Sequence, residues 1–136
     1  MKKLLSVLLV VCIMMGICVT ASADATDTFD LSSATKTSYL TIASNKATCT
    51  SRFVSTDSSI KDITIVATLE KFSFLWFWDS LREWNMTYYD TSSGTLVNEM
   101  KNLTSGTYRL KSVFTVKYKN GKKESVTVYS TEKKIA

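Results

Sequence analysis

The chain alternates apolar and polar residues along several short runs. Residues 60–71 give a clear example, because every second position from Ile63 to Leu69 is apolar and the positions between them carry mainly threonine. A period of two is typical of a strand with one buried and one exposed face. The same alternation predicts seven strands and no helix, at residues 39–43, 46–54, 60–71, 78–88, 95–100, 107–119 and 124–131.

Turn signals separate these runs. Ser44-Asn45 lies between the first two and predicts a hairpin, and polar loops at 55–59 and 90–94 interrupt the middle of the chain. Short strands at this spacing, with no internal repeat, are typical of two packed sheets. We therefore expect an all-β fold, a single antiparallel β-sandwich of immunoglobulin-like or fibronectin-like form.

The last two runs are joined by Asn120-Gly121, and the loop length decides their register. A two-residue loop sends the valines of the last strand to the side opposite Phe114. A three-residue loop, with Gly121 left-handed in a bulge, pairs Phe114 with Val126 and Ser112 with Val128, which gathers the apolar residues on one face. The sequence therefore predicts the bulged hairpin.

Residues 71–89, KFSFLWFWDSLREWNMTYY, contain all three tryptophans of the chain. Trp78, Leu81 and Trp84 have a spacing that a helical turn could also produce, but the β-branched and aromatic neighbours favour a strand from 78 to 88. A domain without disulfides needs large side chains in its core. We expect this strand to be the central core strand.

The four residues before that strand are Phe74, Leu75, Trp76 and Phe77. Consecutive strand residues point to opposite faces, so these four cannot all enter one core. If they form the tip between two strands, they make an exposed apolar patch, which usually marks a contact with protein, membrane or ligand. Burial against the rest of the fold is the alternative.

The first 25 residues have the features of a secretory signal peptide. Two lysines precede an apolar run at 4–19, and the small residues that follow allow cleavage after Ala23 or Ala25. We expect an extracellular protein with one domain. The predicted organisation is a signal peptide at 1–25, a flexible N-terminal arm at 26–37 and a β-sandwich domain at 38–136.

Cleavage removes Cys12 and Cys18 and leaves Cys49 as the one cysteine of the mature chain. A single cysteine cannot form an internal disulfide, so the hydrophobic core must hold the domain together. Cys49 shares a strand face with Ala47 and Phe53, which favours a buried thiol. Intermolecular pairing and a reactive thiol are the alternatives.

Charge is unevenly distributed. Residues 24–100 contain six Lys and Arg against ten Asp and Glu, whereas residues 101–136 contain nine against two. Such a basic face favours anionic cell-wall polymers or anionic lipid, although a solvated strand surface looks the same in sequence. Nucleic acid is not expected as a partner of a secreted protein. The candidate basic face consists of Lys117, Lys119, Lys122 and Lys123.

Catalytic and cofactor motifs are missing from the sequence. The chain has no histidine, which removes the commonest general base and metal ligand. It also has no glycine-flanked serine nucleophile, no phosphate-binding loop and no calcium-loop spacing. We expect no enzyme, no cofactor and no metal site.

The segment Leu103-Thr104-Ser105-Gly106-Thr107-Tyr108 resembles the corner before a late strand of immunoglobulin-like and fibronectin-like sandwiches. The resemblance implies that the Tyr108 hydroxyl bonds to the loop backbone and that Leu110 stands where antibody domains have a disulfide cysteine. It also implies that Trp78 or Trp84 is the core tryptophan of the third strand. An ordinary strand beginning with tyrosine is the alternative.

A looser pattern runs through nearly the whole mature chain: Leu69-x-Lys71, Trp78-x-x-Leu81-x-x-Trp84, Gly106-x-Tyr108-Arg109, Gly121-Lys122-Lys123-Glu124-Ser125 and then Ser130. In this order the motifs are similar to a family of small secreted proteins of Gram-positive bacteria whose function is not established. The resemblance implies a secreted bacterial β-domain and brings no catalytic residue or partner. Where that family has a polar turn before the tryptophans, this chain has Phe72-Ser73-Phe74-Leu75-Trp76-Phe77, an apolar tip.

Three functions remain open from the sequence. The first is a secreted interaction module that docks on a cell-surface protein or envelope polymer through the aromatic tip, assisted by the basic face. The second is a membrane-active or antagonistic, bacteriocin-like protein whose tip enters the bilayer interface. The third is a small carbohydrate-binding domain in which Trp76 or Trp78 stacks on a sugar ring.

Overall fold

The structure is a computed structural model that describes residues 31–136, so the predicted signal peptide and most of the predicted arm lie outside the described residues. This part of the chain contains one short 3-10 turn, at Leu31–Ser33, and no α-helix. Its eight strands are β1 (Thr35–Ala43), β2 (Lys46–Val54), β3 (Ile60–Phe72), β4 (Trp78–Tyr88), β5 (Ser93–Met100), β6 (Gly106–Tyr118), β7 (Lys123–Tyr129) and β8 (Lys133–Ile135).

The strands form two antiparallel sheets that pack against each other. The smaller sheet has the order β1-β2-β5, and the larger has the order β4-β3-β6-β7. The short strand β8 pairs with the beginning of β6, on the edge that β7 also occupies. The prediction of an all-β, disulfide-free antiparallel sandwich is therefore confirmed, with β8 added to the seven expected strands.

The core lies between the sheets and is built from alternate residues of each strand. On β6, for example, every second residue from Tyr108 to Tyr118 is buried, while the residues between them are only partly buried. The period-two pattern thus separates an inner from an outer face, as the sequence predicts. The largest fully buried side chains are Leu40, Phe53, Ile63, Ile65, Leu69, Tyr108, Leu110, Phe114, Val116 and Tyr118.

Both predicted hairpins are confirmed. Ser44 and Asn45 connect β1 to β2 with positive φ angles of 51° and 57°, the sign that a type I′ turn requires at both central residues. Between β6 and β7, Phe114 pairs with Val126 in the register of the three-residue loop. Gly121 there has a φ of 89°, which explains why a glycine ends that loop.

Strand β4 begins and ends at the predicted residues, but its position in the sheet differs from the prediction. It is the edge strand of the larger sheet, and most of its side chains are exposed. The interpretation of β4 as the central core strand is therefore wrong, and Leu81 is 38% exposed rather than buried. The third strand, β3, fills the central place with isoleucine, alanine and leucine. Of the two tryptophans that the resemblance implies for the core, Trp78 stays outside it and Trp84 is only partly buried against it.

A β-bulge divides β4 into two parts. Leu69 pairs with Arg82 and Glu70 with Ser80, so Leu81 is an additional residue on β4. On the far side of the bulge, Trp84 pairs with Ala67 and packs partly against the core.

Strand β1 begins at Thr35, inside the predicted N-terminal arm. Its first residues pair with the end of β2, Thr35 opposite Val54. The inward positions of this segment are Lys36 and Ser38, and the Ser38 hydroxyl donates to the carbonyl oxygen of Leu110 at 3.0 Å. With polar residues at its inward positions, the segment lacks the alternation that identifies a strand in sequence.

The predicted tyrosine corner is present at the start of β6. Tyr108 is 1% exposed, and its hydroxyl donates to the carbonyl oxygen of Thr104 at 2.5 Å. Leu110 is fully buried at the position where antibody domains have a cysteine. The corner therefore resembles that of immunoglobulin-like sandwiches without their disulfide.

Candidate binding surface

The aromatic tip, residues Phe74–Phe77, lies in the connection between β3 and β4, which begins at Ser73. The loop closes on itself, since the amide of Phe77 donates to the carbonyl of Phe74 at 2.9 Å and the amide of Ser73 donates to the carbonyl of Phe77 at 3.0 Å. Leu75 has a φ of 56°, in the left-handed region that a tight turn needs. The tip is thus a hydrogen-bonded turn at the end of a regular hairpin.

All four side chains of the aromatic tip are more than half exposed. The exposed fractions are 67% for Phe74, 55% for Leu75, 74% for Trp76 and 57% for Phe77. The rings of Trp76 and Phe77 contact each other, with centroids 5.8 Å apart. The structure therefore realises the exposed alternative, and the tip projects as an apolar surface beyond the end of the sheet.

The base of the tip is packed more firmly. Phe72 and Trp78, paired across β3 and β4, meet edge to face with centroids 5.4 Å apart and planes 72° apart. The Arg109 guanidinium lies 4.1 Å from the Trp78 ring centroid and 4.3 Å from that of Tyr129. Glu70 accepts from Arg109 Nε at 2.7 Å and fixes this cation between the two rings.

A shallow groove of about 410 Å³ opens beside this base. Phe72, Trp76 and Trp78 supply aromatic walls, and a carboxylate comes from Glu132, in the segment between β7 and β8. Sequence reasoning did not find Glu132, because β8 was not predicted and only its pairing with β6 brings this segment beside the tip. The groove is lined by Phe72, Leu75, Trp76, Trp78, Thr107 and Glu132.

The basic face lies at the other end of the larger sheet. Lys117 pairs with Lys123 across β6 and β7, and the remaining two lysines belong to the turn beyond them. The register places Tyr118 of β6 opposite Ile60 at this end and Tyr108 opposite Lys71 at the end of the aromatic tip. Ten residues of strand separate the two ends by ~33 Å.

That separation exceeds the Debye length of ~8 Å at physiological ionic strength. The structure therefore does not combine the basic face and the aromatic tip into one surface, as the hypothesis of an assisting basic face requires.

Cys49 is 1% exposed and carries a free thiol. Burial raises the pKa of this thiol to about 12, because the thiolate would lose its hydration. A protonated, enclosed thiol is a poor nucleophile, so the structure favours the interpretation of Cys49 as a small core residue over the reactive thiol.

No cluster of three or more metal-ligating side chains is found between residues 31 and 136. A second groove, of about 500 Å³, lies at the end of the sheet away from the aromatic tip, between the loops before β3 and after β4. Its lining mixes both charge signs, with Asp57 and Asp90 near Lys61 and Lys119. Within the same described part of the chain, no helix is long and apolar enough to cross a membrane.

Comparison of the sequence with models of known protein families gives no match, and neither does comparison with curated proteins.

Proposed function

We propose that this chain is a secreted, non-enzymatic binding module that contacts its partner through the aromatic tip. The observation that carries the proposal is the exposure of four consecutive apolar side chains, Phe74 to Phe77, on a turn closed by its own hydrogen bonds. Contiguous apolar surface of this kind usually marks a contact site. A core role for these residues is not available, since none of them is buried.

The tip is an ordered, protruding turn, which suits binding to a concave surface of a partner or to a deformable surface such as a bilayer. Two backbone hydrogen bonds hold the turn, and Phe72 against Trp78 braces its base. A contact that is ordered before binding loses little conformational entropy when the complex forms. Aromatic side chains are also the residues that contribute most to binding energy at interfaces. The candidate partners are a cell-surface protein, an envelope polymer or a membrane surface.

Secretion and a bacterial origin belong to the same proposal. They rest on the signal-peptide pattern of residues 1–25 and on the resemblance to secreted proteins of Gram-positive bacteria. The immediate test of the first is the N-terminal sequence of the exported protein, which should begin at Asp24 or Thr26.

The test of the binding function is a pull-down from cell envelope and culture supernatant. The protein is compared with a Trp76→Ala, Phe77→Ala variant, whose changes should not affect the fold because both side chains are largely exposed. A matched control is Tyr39→Ala, Val97→Ala, which removes two side chains of 58% and 54% exposure from the smaller sheet. The proposal requires partners that the tip variant loses and the control retains, and identical partner sets for all three proteins would refute it.

A bilayer surface is the second candidate, and the position of Trp76 at a protruding apolar turn favours it. Tryptophan and phenylalanine partition into the interface between head groups and acyl chains. Since the basic face is ~33 Å of strand away from the tip, its four lysines should contribute little to insertion through the tip. Co-sedimentation with neutral and anionic vesicles tests this, and absence of binding to both would eliminate the membrane candidate.

A further inference from the structure

We infer that the groove at the base of the aromatic tip binds a quaternary ammonium group, the chemistry of choline and of choline head groups. The inference rests on the proposed function, because Leu75 and Trp76 belong both to the tip and to the groove. It adds the chemical class of the ligand, which the exposure of the tip alone does not specify.

The first support is the angle between the aromatic walls. Phe72 and Trp78 stand 72° apart with centroids separated by 5.4 Å, and Trp76 lines the same groove. Ring faces attract cations through their quadrupoles, and aromatic cages recognise quaternary ammonium groups in this way. A roughly spherical trimethylammonium group can contact two walls that meet at a corner, whereas a flat ligand can stack on only one of them.

The second support is the carboxylate of Glu132. It lines the groove and forms no hydrogen bond or ion pair with another described residue. Two cations lie near this carboxylate: the Arg109 guanidinium is already paired with Glu70 at 2.7 Å, and Lys134, opposite Thr107 on β8, forms no ion pair with Glu132. An unpaired carboxylate beside aromatic walls is complementary to a cation and repels a phosphate or carboxylate ligand.

A sugar fits the groove less well. Recognition of a sugar needs several hydrogen-bonding groups placed around its hydroxyls, and the lining offers only Thr107 and Glu132 as polar side chains. The groove should therefore bind a sugar more weakly than a quaternary ammonium compound.

The experiment titrates the protein with choline and with 3,3-dimethylbutan-1-ol, which has the same shape without the charge, and follows tryptophan fluorescence and heat of binding. Choline should bind about tenfold more tightly than the neutral analogue, the range expected for a cation on aromatic faces. Equal affinity for the two compounds, or binding of chitobiose in preference to choline, would overturn the inference.

Two variants locate the site. Glu132→Gln, an exposed substitution that keeps the fold, should weaken choline binding several-fold and leave the affinity for the neutral analogue unchanged. Trp78→Leu should abolish choline binding, while Tyr39→Leu on the other sheet should leave it unchanged. Unaltered choline binding in Glu132→Gln and in Trp78→Leu would show that choline binds elsewhere, which contradicts the inference.

An experiment with vesicles distinguishes the two possible sources of the ammonium group, a lipid head group and a free small molecule. Binding to phosphatidylcholine vesicles that free choline competes away identifies a lipid head group, and binding of free choline without vesicle binding identifies a small molecule. A Phe74→Ala, Phe77→Ala variant separates this inference from the proposed function, since neither residue lines the groove. If pull-down partners depend on the tip but choline does not bind, the ammonium site alone is wrong.

Discussion

Trp78 and Trp84 lie on opposite faces of the larger sheet, although they are six residues apart on one strand. An even spacing would place them on the same face of a regular strand. The additional residue Leu81 reverses the alternation between them, so Trp84 packs towards the core and Trp78 stacks with Arg109 on the outer face. Because of this one inserted residue, Trp84 contributes to the stability of the core and Trp78 is available to line the groove.

The two roles predict different costs of truncation. Trp84→Ala should lower the free energy of unfolding by about 1.5–3 kcal/mol, somewhat below the 3–5 kcal/mol typical of a fully buried tryptophan. Trp76→Ala should change it by less than about 0.5 kcal/mol, since this side chain is 74% exposed. Urea denaturation monitored by circular dichroism measures both values. Equal costs would contradict the assignment.

The tyrosine corner predicts the effect of removing one oxygen atom. Tyr108→Phe keeps the buried ring but removes the hydrogen bond to the Thr104 carbonyl, so stability should fall by about 1 kcal/mol. Tyr39→Phe is the control, because that side chain is 58% exposed and its loss of a hydroxyl should be nearly neutral. Chemical denaturation measures the free energy of unfolding of the two variants. Equal losses in both would contradict a stabilising role of the Tyr108 hydrogen bond.

Three serines form a hydrogen-bonded chain between the sheets. The hydroxyls of Ser51 and Ser112 are 2.6 Å apart and fully buried, and Ser112 Oγ donates to Ser38 Oγ at 2.8 Å. Ser112→Ala should cost about 1–3 kcal/mol, because it leaves the Ser51 hydroxyl buried without a partner. The double variant Ser51→Ala, Ser112→Ala should cost less than the sum of the single changes. Additive costs in a double-mutant cycle would show that the chain is not coupled.

The thiol of Cys49 predicts a loss of stability at alkaline pH. Its pKa is raised from 9.0 to about 12 in the folded protein, so between these values the unfolded chain releases a proton that the folded chain keeps. Stability from this group is therefore complete below pH 9 and falls as the pH rises towards 12. Thermal unfolding of the protein and of Cys49→Ala between pH 8 and 11 should show a steeper decline for the protein. Parallel declines would mean that the thiol is not protected.

Most of the fold followed from alternation and turn chemistry. The register of β6 and β7 was predictable because one loop length gathers the valines with Phe114 and the other does not. The β-branched and aromatic residues of β4 located that strand to the residue, although the bulge interrupts its alternation. What alternation cannot show is which strand lies at an edge, because a strand rich in aromatic residues has the same period in the centre of a sheet and at its margin.

The site was predictable only in part. The four residues of the aromatic tip were identified from their consecutive order, since a strand cannot bury them all. The groove was not, because Glu132 approaches Trp76 only through the pairing of β8 with β6. Three residues of strand carry too short a pattern to be recognised in sequence, and the bulge at Leu81 left no local signal at all.

The same bulge has a consequence for solubility. Strand β4 is an edge strand of 11 residues, and a long regular edge is a template on which strands of other molecules can add and aggregate. At Leu81 the spacing of its free amide and carbonyl groups is interrupted, and the charged residues Asp79, Arg82 and Glu83 flank the interruption. A foreign strand can therefore pair with only one part of β4 at a time, which protects a hairpin ending in Phe-Leu-Trp-Phe from growing into fibrils.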